Sequence, residues 1–413
     1  MSAIFTSLSP NVEFSDVLRA CVSLFRPWTW KKGKISSRLQ DQFAQYHGRN
    51  KDQVYLLASG RSALYAALGA AGLEKDDEVL LQGYTCVAVP EVALCFGAKP
   101  VYVDCEERGL SMSLKDLEKK ITARSKVLII QHTFGVPAHI DELIAIAQKH
   151  KLILIEDCAH SLGARYKGKL CGTFGDMAFF SFGRDKVISS VFGGALMVNS
   201  RAYQEKVQDQ IKTFTMPKAG WIAQQLFHPI ITWKAKFLHG IYVGRVLLKS
   251  AKALQLISRA VERGEYRGQK PSFIKYLMPN ALAGLALFQF QKLERFNRNR
   301  QERYMQYEKT LSHIKHQEKL NFEDEPIWLR FQLQSPKAKA MLQAGKERNI
   351  FLGDWYQSPV APEGVDLASI GYQPGSCPRA EAISKLSLNL PTDIHIREKE
   401  AQRIIEFVKG YGD

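Results

Sequence analysis

The stretch LILIEDCAHSLGA, residues 152–164, decides the fold, because an apolar run ends abruptly in two acids, Glu156 and Asp157. A second stretch, FFSFGRDKVISSVFGGA at residues 179–195, places a lysine, Lys186, between an aromatic run and a pair of glycines. Short apolar runs bounded by polar residues are typical of strands buried on both faces of a parallel sheet. The two stretches therefore predict neighbouring strands, one followed by an acid and the other by an amine.

Residues 51 to about 200 alternate between strand and helix patterns. Apolar segments such as QVYLLA, EVLLQG, KPVYVD and SKVLIIQH are separated by helical segments such as ALYAALGAAGL and HIDELIAIAQKH. This alternation predicts right-handed crossovers and a mostly parallel α/β sheet. Ligands of such sheets bind beyond the carboxyl ends of the strands. The candidate rim is therefore Ser59–Ser62, Tyr84–Cys86, His132, Asp157–His160 and Ser181–Lys186.

The chain is long enough for two domains. It has 413 residues, of which 46% are hydrophobic, enough for one large core and one smaller core. We predict an N-terminal arm over 1–40, a large domain over 41–295 and a small α+β C-terminal domain over 296–413. The segment LMPNALAGLALFQFQKLERFNRNRQERYMQYEKTL, 277–311, predicts one long helix that joins the two domains.

Several classes of protein do not fit the sequence. The first residues lack the basic start and apolar core of a signal peptide, and no run approaches the roughly 20 apolar residues that span a bilayer. The seven cysteines are odd in number and scattered, which indicates reduced thiols in a cytoplasmic protein without disulfides. No metal-ligand spacing occurs among the ten histidines, so we expect no metal.

The net charge of +16 is concentrated in a basic insert, residues 213–270, because no acid occurs between Asp209 and Glu262. An amphipathic helix is predicted there, with one basic face and one apolar face: Arg245, Lys249, Lys252 and Arg259 against Val243, Leu247, Leu254, Ile257 and Val261. Such a helix either packs on its own protein, the simpler interpretation, or lies on an anionic membrane surface. No nucleic-acid motif accompanies the basic charge, so nucleic acid is not an expected partner.

Lys186 at the mouth of a parallel sheet suggests pyridoxal phosphate (PLP) chemistry, because a partly buried lysine can form a Schiff base with an aldehyde. That cofactor needs a carboxylate at its pyridine nitrogen, and Asp157 suits this role. Its phosphate needs hydroxyls and amides at a helix N-terminus. The turn Ser59-Gly60-Arg61-Ser62 before a predicted helix suits that need, with Ser181 as a further donor.

Each of these features also has an ordinary interpretation. Asp157 could cap the next turn, the residues SGRS could be a simple helix cap, and Lys186 could be a solvated loop lysine. His160 could be a surface histidine. Their occurrence together, at successive strand ends of one sheet, favours a single site.

The sequence resembles a known family. The segments SGRSALYAALGAAGL, GYTCVAVPEVALCFGAKPVYVD, IEDCAHSLGARYKGKLCGTFGDMAFFSFGRDK and NALAGLALFQFQKLERFNRNRQERY are similar to those of the DegT/DnrJ/EryC1/StrS family of sugar aminotransferases, which have PLP transferase fold type I. The resemblance covers most of the chain from about residue 35, except the basic insert. It implies a homodimer with a shared active site. It also implies transfer of an amino group from glutamate to a keto group of a nucleotide-linked sugar, in cell-surface polysaccharide or amino-sugar biosynthesis.

The resemblance assigns roles to residues. It implies that Lys186 forms the Schiff base and moves the proton, that Asp157 pairs with the pyridinium, and that His160 lies close to the cofactor ring. It places Ser59, Gly60, Ser62 and Ser181 at the cofactor phosphate. Arg61 replaces a threonine in that turn and could bind the phosphate itself. Cys86 replaces the aromatic residue that stacks on the ring, for which Tyr84 or another ring could substitute.

Two alternatives remain open. A PLP-dependent sugar dehydratase resembles the same family but has histidine in place of the lysine, so Lys186 argues against it. A non-catalytic, membrane-attached protein of a polysaccharide pathway would fit Cys86 and the basic insert, but not the pair Lys186 and Asp157. The sequence does not identify the sugar, the carbon aminated or the nucleotide, although GDWYQSPV at 353–360 is a candidate contact. It also leaves open whether the insert contacts lipid, a diphosphate or the other subunit.

Overall fold

The computed structural model describes residues 3–241, 243–317, 321 and 323–411. Within these residues, the strands are β1 Ile4–Phe5, β2 Val54–Leu57, β3 Glu78–Gln82, β4 Thr85–Cys86, β5 Lys99–Val103, β6 Ser125–Gln131, β7 Ile153–Asp157, β8 Arg165–Tyr166, β9 Lys169–Leu170, β10 Met177–Ser181, β11 Gly194–Val198, β12 Arg330–Gln334, β13 Ile350–Phe351, β14 Val360–Ala361 and β15 Ser387–Pro391.

The α-helices of the same residues alternate with these strands through the first half of the chain. They are α1 Phe14–Leu24, α2 Lys34–Tyr46, α3 Gly60–Ala70, α4 Pro90–Leu94, α5 Leu114–Lys120, α6 Ile140–Lys149, α7 Gln204–Lys212, α8 Ala219–Phe237, α9 Val243–Ala253, α10 Asn280–Phe290, α11 Leu293–Leu311, α12 Ala338–Glu347, α13 Pro378–Leu386 and α14 Glu398–Lys409.

A seven-stranded sheet forms the centre of the molecule, in the order β2-β11-β10-β7-β6-β3-β5. The pairs from β10 to β5 are parallel, and β11 is antiparallel to both of its neighbours. Asp157 at the end of β7 is in register with Phe179 of β10 and Gln131 of β6. The predicted mostly parallel α/β sheet is therefore confirmed, and the two quoted stretches form adjacent strands.

The sheet is buried on both faces, because its strands carry apolar side chains at consecutive positions. Ile155 of β7 packs in the core that contains Leu64 of α3. Leu154, next to it in sequence, packs in the core that contains Leu143 of α6. Successive side chains of a strand point to opposite faces, so one continuous apolar run supplies both cores.

The C-terminal part has a separate core beside the sheet. Strands β12 and β15 pair antiparallel and pack with residues of α11, α12 and α14. The predicted single helix over 277–311 is wrong in one respect, because α10 ends at Phe290 and α11 begins at Leu293. The division of the chain at residues 40 and 295 stays a prediction.

The N-terminal segment is attached to two distant parts of the chain. Strand β1 pairs in parallel with β13, and Phe14 of α1 packs against Trp233 of α8 at 5.3 Å between ring centroids. Residues that precede the large sheet are thus held by the C-terminal part on one side and by the basic insert on the other.

The basic insert contains two helices, α8 and α9, and the predicted amphipathic helix is shorter than expected. Helix α9 ends at Ala253 with Gln255 in a left-handed conformation, φ 54°. Gln255 N donates to Lys252 O and Leu256 N donates to Ala251 O, the bonds of a Schellman motif. Ile257, Arg259 and Val261 therefore lie after the helix. None of the described helices is both long and apolar enough to cross a membrane.

Candidate active site

A cavity of about 1540 Å³ lies at the carboxyl end of the parallel strands. Strands β2, β7 and β10 end there, and the antiparallel β11 begins there. Most predicted site residues line it: Ser59, Gly60, Arg61, Cys86, Asp157, His160, Ser181 and Lys186. The cavity is the binding position expected for a parallel α/β sheet.

Glu156 and Asp157 serve opposite faces of the sheet. Glu156 is fully buried and accepts hydrogen bonds from the amides of Gly172, Phe174 and Gly175 at 2.7–2.8 Å. It thereby fixes the turn before β10. Asp157 faces the cavity, where Oδ1 accepts from Ala159 N at 2.9 Å and Oδ2 has no partner among the described residues. Burial raises the pKa of Asp157, and the Ala159 amide and the Lys186 amine oppose that shift.

Lys186 contacts His160 directly, with 2.9 Å between Nζ and Nε2. The other ring nitrogen, Nδ1, accepts from Phe134 N at 3.3 Å, so a neutral ring carries its proton on Nε2. Burial lowers the pKa of His160 well below its usual value, and Lys186 lowers it further. Burial also lowers the pKa of Lys186, although Cys86 and Asp157 oppose this. In this tautomer Nε2–H faces Lys186 Nζ and can donate only to a neutral amine, which is the form that can act as a nucleophile.

His160 is held in an aromatic stack. Its ring lies between Phe134, at 5.8 Å and 5°, and Trp355, at 5.4 Å and 11°. The centroid of the Trp355 ring also lies 5.0 Å from Lys186 Nζ. Trp355 belongs to the stretch 353–360, and Asp354, Trp355, Tyr356 and Gln357 line the cavity. That stretch was a candidate contact in the sequence, but nothing in the sequence placed Trp355 against His160.

The N-terminus of α3 forms an anion cradle beside Lys186. Ser59 caps the helix, since its hydroxyl accepts from Ser62 N at 3.0 Å. The first amides of the helix, those of Gly60 and Arg61, have no hydrogen-bond partner among the described residues. Gly194 lets β11 approach this turn, because a Cβ there would lie 2.6 Å from the Ser59 carbonyl carbon. Free amides at a helix N-terminus bind phosphate groups.

Two predicted cofactor residues are engaged elsewhere. The Arg61 guanidinium pairs with Glu265 of the basic insert and lies 3.9 Å from Glu91. Burial opposes its charge, but these acids raise the pKa of Arg61. Ser62 does not line the cavity, because its hydroxyl is fully buried and bonds Ser59 and the Phe273 carbonyl. The predicted phosphate-binding roles of both side chains stay predictions, and the structure gives each side chain another partner.

The profile of the DegT/DnrJ/EryC1/StrS aminotransferase family matches residues 14–237 and 244–409. The chain belongs to this family. Within the basic insert the match leaves out only residues 238–243, which corrects the expectation that the resemblance would exclude the whole insert.

The chain is similar to several named members of this family. It is 32% identical over 179 residues to GDP-perosamine synthase of Escherichia coli O157:H7, which is 43% of this chain and 49% of that protein. It is 40% identical over 149 residues to UDP-N-acetyl-3-dehydro-alpha-D-glucosamine 3-aminotransferase of Acidithiobacillus ferrooxidans, which is 36% of this chain and 40% of that protein. The chain thus spans about half the length, or less, of these curated relatives.

The same fold occurs in solved structures. Spr1654 of Streptococcus pneumoniae, in its PMP form, superposes with a TM-score of 0.77 at 18% identity over the full length of both chains. At this identity, the likeness shows that the two folds agree.

The resemblance assigns Cys86 to the ring-stacking position, and this assignment stays a prediction, although Cys86 does lie near Lys186. It lines the cavity and burial raises the pKa of its thiol, while Lys186 opposes the shift. Tyr84 does not replace the missing ring, because it is fully buried and its hydroxyl contacts Ser387 at 2.8 Å. Of the aromatic residues around the cavity, Trp355 lies closest to the pair Lys186–His160 in the described contacts.

Asn11 is a site residue that the family resemblance and the sequence pattern both missed. Its amide donates to the carbonyl oxygens of Lys186 at 2.6 Å and Val187 at 3.1 Å. Its Oδ1 accepts from Arg300 at 2.9 Å. The N-terminal segment therefore fixes the backbone that carries Lys186. No sequence signal links residue 11 to residue 186, since the contact depends on how distant segments pack.

His132, one of the predicted rim residues, belongs to a buried cluster below the cavity. It is fully buried and its Nε2 lies 3.2 Å from Glu156. Together with Cys158, these residues offer three potential ligand atoms within 4.8 Å of one another. The acid is already bound by backbone amides, so the cluster has a structural explanation. The expectation that the protein holds no metal stays a prediction.

Proposed function

We propose that this protein is a PLP-dependent aminotransferase that moves an amino group from glutamate to a keto group of a nucleotide-linked sugar. Family membership supports the reaction type, and the names of the two curated relatives support a nucleotide-linked sugar as substrate. Amino-sugar or cell-surface polysaccharide biosynthesis is the pathway class that such a reaction serves.

The residues of the cavity fit PLP. The amides of Gly60 and Arg61 and the Ser181 hydroxyl would hold the phosphate, because these groups line the cavity at a helix N-terminus. Asp157 would hold the pyridine nitrogen through Oδ2, the oxygen that no described residue contacts. Burial raises the pKa of Asp157, and a positively charged pyridinium beside it would favour the ionised carboxylate.

The chemistry divides between cofactor and protein. When bound, PLP supplies an aldehyde that takes up the amino group and a ring that withdraws electrons. The neutral amine of Lys186 accepts and returns a proton at Nζ. His160 positions that amine through the contact of Nε2 with Nζ at 2.9 Å. The carboxylate of Asp157 would accept a hydrogen bond from the pyridine nitrogen and favour the protonated form of the ring.

The single observation that carries the proposal is the pair Lys186–His160, facing Asp157 in one cavity. The experiment supplies the PLP-loaded protein with glutamate and a panel of nucleotide-linked keto-sugars, and measures 2-oxoglutarate. We expect stoichiometric 2-oxoglutarate with glutamate alone and continued turnover with at least one keto-sugar. A loaded protein that releases none with glutamate contradicts the proposal.

Two alternatives have less support. A sugar dehydratase of this family carries histidine at the position of Lys186, so the lysine argues against it. A non-catalytic scaffold would give no reason for an amine with a lowered pKa held 2.9 Å from a neutral histidine. Neither alternative is favoured by an observation of its own.

We propose that the protein is a cytoplasmic homodimer with a shared active site, as the family resemblance implies. Sedimentation at several protein concentrations tests this assembly. A mixture of two inactive variants, Lys186→Ala and a variant of a residue that the partner supplies, tests the sharing, because activity returns only if the sites are composite.

We further propose that the protein contacts an anionic membrane surface. Large apolar side chains are exposed on the N-terminal segment and on the basic insert, including Phe25 at 81% and Trp28 and Phe237 each at 77%. They accompany an insert in which no acid occurs between Asp209 and Glu262. A second copy of the same basic face would be repelled, whereas anionic headgroups attract it.

Flotation with phosphatidylglycerol vesicles tests this contact. We expect the intact protein to float, and the variants Phe25→Ser and Phe237→Ser to stay at the bottom. Met305→Ser is the matched control, since Met305 is also exposed but lies on α11. A folded wild-type protein that does not float contradicts the membrane proposal and leaves the aminotransferase proposal unchanged.

A further inference from the structure

Arg184 is a cation at the wall of the cavity without a carboxylate partner among the described residues. It lies two positions before Lys186. Its Nη2 donates to the Ser258 hydroxyl and to the Arg259 carbonyl oxygen. Its Nε is buried without a hydrogen-bond partner, and no described residue accepts from Nη1. The guanidinium therefore retains donors that face no protein acceptor.

The Arg184 guanidinium is partly withdrawn from water. Burial lowers the pKa of its guanidinium to about 10, although the neighbouring Asp185 opposes this shift. Asp185 is itself engaged, since its Oδ1 accepts from Ser9 N at 3.1 Å. Removing a charge from water costs several kcal/mol unless a counter-ion accompanies it. An anionic ligand would supply that compensation.

The insert holds Arg184 in place. Ser258, which accepts from the guanidinium, donates to Gln225 Oε1 at 2.6 Å, and Gln225 is fully buried in α8. The adjacent Gln224 donates to the Gln255 carbonyl oxygen at 2.6 Å. The segment after α9 is thus fixed to α8, and the guanidinium is positioned before any ligand arrives.

Three further cations from the insert line the same cavity: Lys252, Arg259 and Arg263. None of them has a side-chain ion pair among the described residues. Arg61 differs, because Glu265 neutralises it. Two of the acids that line the cavity are also engaged, Glu262 with Ser272 and Glu363 with Lys339 at 3.7 Å. The wall formed by the insert therefore has an excess of unpaired positive charge.

We propose that Arg184, together with Lys252, Arg259 and Arg263, binds the diphosphate that links the sugar substrate to its carrier. This subsite rests on the proposed function, since it belongs to the acceptor of the same reaction. Guanidinium groups bind phosphate oxygens bidentately, and several cations suit a diphosphate better than one carboxylate. The carrier is either a nucleoside or a polyprenyl lipid, and the two share the diphosphate.

The test measures binding to the PLP-loaded protein by calorimetry, with inorganic pyrophosphate as the probe, so that the cradle at the N-terminus of α3 is already occupied by the cofactor phosphate. We expect Arg184→Gln to weaken pyrophosphate binding at least tenfold, and Arg184→Lys to restore part of the loss. Lys249→Gln is the matched control, because Lys249 is an exposed cation of the insert that does not line the cavity. If Arg184→Gln does not fold, Arg259→Gln replaces it, with an expected loss of at least threefold.

Uridine diphosphate and farnesyl diphosphate distinguish the carriers. Tighter binding of uridine diphosphate indicates a nucleoside carrier, and tighter binding of farnesyl diphosphate indicates a lipid carrier. Either result supports the diphosphate subsite if the binding is weakened by Arg184→Gln. Equal pyrophosphate binding by wild type and Arg184→Gln overturns the proposal. A loss of PLP affinity in Arg184→Gln, or a slower reaction with glutamate, also overturns it, because Arg184 would then serve the cofactor or the amino donor.

The experiments distinguish a wrong diphosphate subsite from a wrong proposed function. A protein that reacts with glutamate but binds pyrophosphate independently of Arg184 keeps the aminotransferase proposal and loses the subsite. A protein that binds pyrophosphate through Arg184 but does not react with glutamate keeps the anion subsite and loses its assignment to an aminotransferase substrate.

Discussion

Lys186 Nζ lies 2.9 Å from His160 Nε2, and the proton on that nitrogen is fixed because Phe134 N donates to the opposite ring nitrogen. Two strand ends of the central sheet are joined by this contact, since Lys186 follows β10 and His160 follows β7. The lysine is therefore presented to the cavity as a neutral amine that accepts a hydrogen bond.

Replacing His160 tests this relationship. His160→Phe keeps a flat ring in the aromatic stack but removes the donor, so we expect the reaction with glutamate to slow by about 10²–10³-fold. The acidic limb of its pH profile should also move to higher pH, because the amine is protonated more easily without the histidine donor. Stopped-flow absorbance measures both effects.

His160→Gln is the matched control, because glutamine also carries an N–H donor. We expect it to retain most of the wild-type rate. Equal rates for wild type and His160→Phe would show that the contact does not contribute to the reaction.

Substitutions of the adjacent acids Glu156 and Asp157 should have different effects, one on the stability of the protein and the other on its activity. Glu156→Gln places an amide donor against backbone donors, since Glu156 accepts from Gly172, Phe174 and Gly175. We expect it to lower the free energy of unfolding by about 1–3 kcal/mol. Asp157→Asn keeps the acceptor for Ala159 N and buries no charge, so stability should be unchanged or higher. Only Asp157→Asn should abolish the reaction with glutamate while the protein stays folded.

Urea unfolding and the glutamate reaction, measured on both variants, check this prediction. If Asp157→Asn reacts at the wild-type rate, Asp157 is not the partner of the pyridine nitrogen. If Glu156→Gln is as stable as wild type, the turn at 172–175 does not depend on the acid.

These two acids also show what the sequence could predict. The alternation of strand and helix, and the placing of Asp157 and Lys186 at successive strand ends, followed from short apolar runs with polar ends. The sequence could not predict the partner of Arg61, because Glu265 lies far along the chain in the insert. Nor could it predict that Ser62 faces away from the cavity, since the direction of a side chain in the first helical turn depends on neighbouring packing.

Asn11 should control the position of the lysine. Asn11→Ala leaves the carbonyl oxygens of Lys186 and Val187 and the Arg300 guanidinium without their partner. We expect a loss of about 1–3 kcal/mol in the free energy of unfolding and a slower reaction with glutamate. Asn299→Ala is the control, because Asn299 donates to the carbonyl oxygens of Thr392 and Asp393. An equal effect of both variants on the rate would contradict a positioning role for Asn11.

Low pH should destabilise the protein, because the buried side chain of His47 resists protonation in the folded state. Burial lowers the pKa of His47 to about 4, whereas an unfolded histidine titrates near about 6.5. Between these values the unfolded chain binds more protons, so stability falls as pH falls, by about 1 kcal/mol per histidine from pH 7 to 5.5. Urea unfolding of His47→Asn should show a shallower pH dependence, and that of the exposed His313→Asn an unchanged one. Identical slopes for His47→Asn and wild type would contradict the prediction.

The insert shows where sequence periodicity fails. The pattern of basic and apolar residues over 243–261 predicted one helix, yet α9 ends at Ala253 and Gln255 adopts a left-handed conformation. Tertiary contacts decide this ending, because the following segment binds Arg61 and Arg184 through the carbonyl oxygens of Ala260 and Arg259. Trp355 was likewise unpredictable as a neighbour of His160, since the two residues lie far apart in the sequence.

The most direct test of the central claim is the absorbance spectrum of the PLP-treated protein, recorded before and after glutamate, for wild type and Lys186→Ala. We predict a visible band that requires Lys186 and that glutamate shifts to shorter wavelength in the wild type. A folded wild-type protein with no visible band, or a glutamate-dependent shift of the same rate in Lys186→Ala, would contradict the assignment of Lys186 as the catalytic amine.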